Sequence, residues 1–233
     1  MKPNKTISII IPVLNEEGFI GNILDHLTKT GSSRFIQEII CVDGGSHDKT
    51  VAVSEAHGAK IVHSEKGRAK QMNLGAQKAQ GDILYFLHAD TFTPKDFDQK
   101  ILTAVDQGYD SGCFRMKFDT KNPFLRFFAY MSRINHRLCR GGDQSLFVKK
   151  ELFQKTKGFN EAYYIYEDTE FITRLYQKAT FKILPDAVIT SARKYREKGW
   201  MKVQFHFGMI HLKNYLGAHP DELYQYYKKH ILA

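Results

Sequence analysis

At 233 residues the chain is long enough for one substantial hydrophobic core and at most a small appended subdomain. Its 42% hydrophobic and 25% charged content is ordinary for a globular protein, and no apolar run approaches the roughly 20 residues that cross a bilayer. The net charge of +9 suits an anionic partner, but the basic residues are spread along the chain, thicken only after residue 193 and accompany no nucleic-acid-binding motif. Nucleic acid is therefore not an expected partner, whereas a solvated face, a bound diphosphate and an anionic membrane surface all stay open. Cys41, Cys113 and Cys139 have no paired spacing, which fits reduced thiols and a cytoplasmic setting. Met1 to Thr6 runs directly into a strand, so no cleaved signal peptide is expected.

Short β-branched and aromatic runs alternate with segments of helical length, the pattern of an α/β protein with a mostly parallel, Rossmann-like sheet flanked by helices. Residues 7–13 form the first strand. A helix from about Glu17 to Lys29 buries Ile20, Ile23, Leu24 and Leu27 and is stopped by Gly31. The second strand ends at Asp43, and the turn Gly44-Gly45-Ser46-His47-Asp48 opens a helix with Ser46 or Asp48 as its N-cap. A short strand follows at residues 60–63. Lys66-Gly67-Arg68 opens a third helix that ends near Gly81, residues 83–87 give another strand, and Thr93-Pro94 starts a fourth helix.

After residue 109 the pattern changes. Residues 112–118 alternate like a half-buried strand, 124–131 form an aromatic helical stretch, and Gly141-Gly142-Asp143-Gln144 precedes the apolar run 145–148. A helix begins near Glu167-Asp168 and runs to about Lys178, one or two strands surround Pro185, and the chain is helical from Gly199 onward with a break at Gly217–Pro220. With no repeat or linker, residues 1–233 read as one domain: a first half (1–110), a second half (111–198) and C-terminal helices (199–233).

Three of the early apolar runs finish on acids: Asn15-Glu16-Glu17, Asp43, and His88-Ala89-Asp90. In open α/β sheets ligands sit beyond the carboxyl ends of the strands, so these acids mark a candidate active site. Five segments together resemble family 2 glycosyltransferases, which have the GT-A fold. They are residues 9–17, 39–50, Gly67-Arg68-Ala69-Lys70-Gln71-Met72-Asn73, Leu87-His88-Ala89-Asp90-Thr91 and Tyr166-Glu167-Asp168, in the family's order.

The resemblance implies an inverting glycosyltransferase that moves a sugar from a nucleoside diphosphate donor, UDP-linked by expectation, to a hydroxyl acceptor. It implies Asp168, with Glu167 beside it, as the catalytic base; Asp90 as ligand of a divalent metal, Mn2+ or Mg2+; and Pro12, Asn15, Glu16, Asp43, Gly45, Arg68, Gln71, His88 and Ala89 around the nucleotide. Gly142, Asp143 and Gln144 would face the acceptor or sugar, and Arg193 or Arg196 the diphosphate. Physically, a hard cation needs oxygen ligands and neutralises a departing diphosphate, a carboxylate can take the acceptor's proton, and a guanidinium matches phosphate. His88 stands where the family's metal motif has its first Asp, which bears on the metal.

Structural readings stand beside each role. Glu16 could cap the first helix, Asp43 could hold its glycine turn, His88 could be a satisfied strand-end residue, and Glu167-Asp168 could simply favour a helix dipole. Arg68 and Lys70 at a helix start, where cations are unfavourable, fit either an outside anion such as diphosphate or a solvated, exposed face. His206 and His211, five apart, lack the spacing of a helical metal pair. The aromatic and lysine-rich tail packs on the domain or docks shallowly on a membrane, which would put the protein at the inner face. Two other functions compete: a sugar-nucleotide-binding protein without turnover, and a sugar nucleotidyltransferase. The latter should carry a glycine-rich basic signature after the first strand, where Asn15-Glu16-Glu17 stands instead.

Overall fold

The strand Ile7–Val13 (β1) is apolar without interruption because both its faces are covered. Ile7, Ile9 and Ile11 point to one side, among Ile23, Leu24, Leu27 and Ile101, while Ile10 points to the other, among Ile40, Val42, Met72 and Phe171. The computed structural model describes residues 5–232; the Met1–Asn4 part of the expected leaderless start lies outside them.

Around β1 run α1 (Ile20–Thr30), β2 (Ile36–Asp43), α2 (Thr50–Ala56), β3 (Lys60–His63), α3 (Arg68–Lys78), β4 (Ile83–Phe86), β5 (Thr91–Phe92) and α4 (Phe97–Asp106). The second half holds β6 (Ser111–Phe118), α5 (Pro123–Met131), β7 (Leu146–Lys149), α6 (Lys150–Lys155), α7 (Glu167–Lys178), β8 (Phe181–Thr190), α8 (Arg193–Lys198), α9 (Trp200–Tyr215) and α10 (Pro220–Tyr227). One sheet has the order β3-β2-β1-β4-β7-β6-β8-β5. β3, β2, β1 and β4 are parallel, as are β6 and β8; β7 is antiparallel to both its neighbours and β5 is antiparallel to β8. The carboxyl ends of β1, β2 and β4 therefore open on one edge, where the site lies.

Several boundaries differ from the sequence reading, each for a local reason. α1 starts at Ile20, not Glu17, because the Glu16 carbonyl accepts from the amides of Phe19 and Ile20. α2 starts at Thr50; Asp48 still serves it, accepting from the Thr50 amide at 2.9 Å, whereas Ser46 accepts instead from the Asn15 amide. α4 starts at Phe97 after Asp96 takes a left-handed turn at φ 55°. α3 ends at Lys78; Gly81 lies beyond it, so close to β1 that a Cβ would come within 2.6 Å of the Ser8 amide nitrogen. Pro185 does not split its segment: β8 is one strand, whose pairing with β6 jumps from Phe114–Leu184 to Arg115–Ala187, and the resulting bulge absorbs the missing donor.

α3 sets the depth of the site because it carries Arg68 at its start. It lies close on the sheet through Gly75, where a Cβ would sit 2.6 Å from Ile10 Cγ2 and 2.9 Å from Val42 Cγ2. Gly75→Ala should cost about 1–3 kcal/mol through overpacking. Urea unfolding checks this: the midpoint should fall while the slope stays unchanged.

Candidate active site

Beyond the ends of β1 and β2 the two loops brace one another. Asn15, left-handed at φ 55°, donates its amide to Ser46 Oγ and accepts from the His47 amide at 2.9 Å. The Glu16 amide donates to Thr50 Oγ1, and Glu17 accepts from the Lys49 amide. Gln71 is buried and its side-chain nitrogen donates to the carbonyls of Val13 and Val42, tying the two strand ends. Asn15 and Gln71, expected as nucleotide contacts, thus form the frame of that region. Pro12 lies within β1 opposite Val42, and Ala89 is buried between His88 and Asp90.

Asp43 is buried and accepts from the amides of Gly45 and Ser46 at 3.1 Å, with His63 Nδ1 at 3.5 Å. Burial opposes its charge, but the bonds from Ser46, Gly45 and His63 prevail and hold its pKa below the usual carboxylate range. Gly45, at φ 92°, must be glycine for this turn to form without strain. Asp43 therefore stabilises its glycine turn, and a carboxylate has lone pairs left for a ligand as well. Glu16 is less settled: one oxygen is 3.5 Å from Arg193 and the other is buried with no hydrogen-bond partner. Burial raises its pKa against the pull of Arg193, and the charge of Asp90 adds to the rise.

The second half of the site is built at the start of α7. Tyr166 is left-handed at φ 73° and turns the chain so that Glu167 and Asp168 both enter the interior. Glu167 is 1% exposed; one oxygen is 3.4 Å from Arg68 Nη1 and the other has no partner. Burial raises its pKa against Arg68. Asp168 is raised too, by burial first, then by Glu167, with Arg68 opposing and Asp143 adding. The anion that Arg68 meets is thus internal, and Lys70 pairs with Glu65 rather than with an outside group.

Gly142, in a 3₁₀ turn, lies against Asp168 so closely that a Cβ would come within 2.1 Å of Oδ2 and 3.0 Å of His88 Cε1. His88 has its two ring nitrogens 3.7 Å from Asp143 and 3.9 Å from Asp168. Burial, together with the charges of Arg68 and Lys194, lowers its pKa well below the ordinary value, so the ring is neutral at pH 7. Asp143 is half-exposed, and its charge reaches both Asp90 and Asp168 and raises their pKa values. For Asp90, burial is the larger cause, and Arg193 and Arg68 pull the other way.

Gln144 has a different neighbourhood from the sugar contact expected of it. It is buried, accepts from Arg140 and Cys113, and donates to the Cys139 carbonyl at 2.7 Å. Arg140, also buried, donates to the carbonyls of Ser132 and Ile134, so the pair holds the loop that carries Gly142. Arg193 meets Glu16 and stacks 4.4 Å over the Phe19 ring, beside the nucleotide loops. Arg196 is engaged elsewhere, gripping Asp119 through both guanidinium nitrogens at 2.9 and 3.2 Å. Its neighbour Lys194, passed over in the sequence, acts electrostatically on His88 and Glu167. Asp119 was missed as well, although it directly follows β6 and repeats the strand-end acid pattern. It lines a small apolar cleft with Phe19, Asp90, Phe92 and Ile189. His206 and His211 make separate contacts, with Tyr226 and Tyr166.

Comparison with known proteins accords with this arrangement. The chain is 27% identical over 202 residues to an uncharacterized glycosyltransferase of Haemophilus influenzae, covering 75% of this chain and 63% of that protein's length. Among solved structures it resembles S. aureus TarS 1-349 in complex with UDP-GlcNAc, with a TM-score of 0.68 at 20% identity over 80% of this chain and 58% of that one. It also resembles mannosyltransferase PcManGT from Pyrobaculum calidifontis in complex with GDP-Man and Mn2+, with a TM-score of 0.68 at 16% identity over 99% of this chain and 69% of that one. The architecture is the GT-A fold. The model of glycosyl transferase family 2 matches residues 8–178, from the start of β1 to the end of the helix that carries Asp168, and the chain belongs to that family.

Proposed function

We propose that the protein is an inverting glycosyltransferase that transfers a sugar from a UDP-linked donor to a hydroxyl acceptor, with Asp168 as base. The observation that carries this reading is the buried acid pair at the start of α7, with Asp168 3.9 Å from His88, two residues before the strand-end acid Asp90. The uridine assignment draws support from the UDP-GlcNAc complex of TarS, to which the fold is similar. Retention of Asp43, Asp90 and Asp168 argues against a binding protein without turnover.

The donor set suits a hard divalent cation. Asp90 would hold it, with Asp143 facing the same cleft; these like charges are relieved by a cation between them. Among the described residues no three His, Cys, Asp or Glu side chains gather closely enough to hold an ion alone. A cation held by one or two carboxylates takes its other ligands from phosphate and water. When bound, it supplies Lewis-acid neutralisation of the diphosphate.

The acceptor hydroxyl attacks the anomeric carbon on the face opposite the diphosphate. The new carbon–oxygen bond forms as the bond to the diphosphate oxygen breaks, and that electron pair leaves with the nucleoside diphosphate. Asp168 accepts the hydroxyl proton, and its raised pKa makes it a stronger base near neutral pH than an ordinary carboxylate. Gly142 packs against the Asp168 carboxylate so closely that no side chain fits between them, and neutral His88 lies beside it. Glu16 offers its unpartnered oxygen to a nucleoside hydroxyl or base N–H, next to Arg193.

Calorimetric titration with UDP, with GDP as the comparison, should show manganese-dependent binding of UDP that Asp90→Ala abolishes. No binding of either nucleotide would sink the reading, and binding without donor hydrolysis or transfer would favour the non-catalytic alternative. Asp168→Asn should lower turnover by about 10²–10⁴-fold while nucleotide binding persists. Because burial raises the Asp168 pKa, the parent's rate should climb with pH to a point above the ordinary carboxylate range, and a rate already flat from pH 5 would contradict that role.

Stability carries the opposite sign. A carboxylate whose folded pKa is raised above its unfolded value costs stability as pH rises between the two values. Asp168→Asn should therefore melt higher than the parent at neutral pH, with the difference shrinking toward pH 4. Gly142→Ala should displace the Asp168 carboxylate and cut kcat on the order of 10²-fold, as a misplacement near 1 Å does, with nucleotide affinity retained.

A further inference from the structure

α9 buries Val203 and Ile210 on its inner side, and α10 and the Tyr163–Tyr166 loop cover Ile210. Its outer side is also apolar: Met201, Phe205, Leu212, Tyr215 and Leu216 are exposed, Phe205 to 64%. At the helical repeat these five fall within an arc of about 100°, opposite the buried pair. A second exposed row, Phe127, Tyr130, Ile134 and Leu138, runs along α5 and the turns after it. The helices that carry the two rows touch at their first turns, where the Phe124 ring lies 4.7 Å from that of Trp200.

The charges around this face are one-sided. The chain has 25 Asp and Glu, yet none lies between residues 120 and 142 or between 198 and 220, the two stretches that supply both rows. The same stretches contribute Lys121, Arg126, Arg133, Arg137, Lys202 and Lys213. Exposed rings and aliphatic chains rimmed by cations match the headgroup boundary of an anionic bilayer, where the apolar groups enter and the cations meet lipid phosphates. A second copy of the chain fits worse, because a two-fold contact would set these cations against themselves.

We propose that the face formed by α5 and α9 docks on an anionic lipid surface. The inference goes beyond the transferase reading and does not rest on it. It does give that reading a geometry: on the inner side of α9, His211 Nδ1 is 3.0 Å from the hydroxyl of Tyr166, the residue before Glu167. Docking would place the catalytic edge roughly one helix diameter, about 10 Å, from the lipid.

The test uses the full chain with vesicles of phosphatidylcholine alone and vesicles that also carry phosphatidylglycerol. Cosedimentation measures binding, and Trp200, the single tryptophan, reports insertion from within the patch. Binding to the anionic vesicles should be at least ~10-fold tighter and weaken with salt, with Trp200 emission shifting to shorter wavelength. Phe205→Ser with Leu212→Ser, both at exposed positions, should weaken vesicle binding ~10-fold or more while circular dichroism and nucleotide binding stay unchanged. Arg126→Glu with Lys202→Glu should erase the preference for phosphatidylglycerol. The proposal is overturned by absent vesicle binding, by equal binding to both compositions, or by binding that neither pair of substitutions alters. A dimer in light scattering that Phe205→Ser dissolves, with no vesicle binding, would instead give the face to a second copy.

Discussion

Two carboxylates side by side in the interior, with a single guanidinium in contact with one of them, form the constraint on which the other parts converge. Glu167 and Asp168 are both buried, and Arg68 contacts only the first. Such a pair repels itself and loses hydration, so the fold has to hold it in place. The left-handed turn at Tyr166 aims the pair inward, and the amide end of α7 favours their charge. Farther along the helix, Phe171, Ile172 and Leu175 anchor it to the sheet. α3 brings Arg68 to the same place through the close approach at Gly75. The raised proton affinity of Asp168 and the unpartnered oxygen of Glu167 are the chemical residue of that burial.

The loops after β1 and β2 are organised differently. There, polar side chains are spent on one another: Asn15 with Ser46 and His47, Asp43 with its own turn, and Gln71 with two strand carbonyls. These bonds fix the spacing of the β1 and β2 loops before any ligand arrives. Glu16, with one oxygen still unpartnered, is the acid there with most to gain from a ligand. The same division recurs below Gly142, where Arg140 and Gln144 support the loop and Asp143 remains half-exposed at the cleft.

The parallel half of the sheet was legible in the sequence because strands covered on both faces read as unbroken apolar runs, and acids at their ends stand out against them. Helix ends were less legible. Glu16 starts α1 with its main-chain carbonyl, and Asp96 starts α4 by its backbone twist, so neither leaves a side-chain signature. The place of β7 between β4 and β6 depends on partners tens of residues away, which no local pattern encodes. The candidate site was legible as a set of acids, while the contacts each side chain makes were not. A glutamine that braces two strands and one that touches a sugar have the same composition, and Arg196 finds Asp119 only because β6 and α8 come together in space.

Gly142 also bears on how such a site can change over generations. Every replacement that a single-base change in a glycine codon can make adds a Cβ, and at this position even that carbon would sit on the Asp168 carboxylate. The barrier is set by volume, whatever chemistry the new side chain brings. One residue on, Asp143 points half into solvent and meets no such wall. Change in this part of the candidate site would therefore pass through residue 143 and its exposed neighbours, with 142 fixed beneath them.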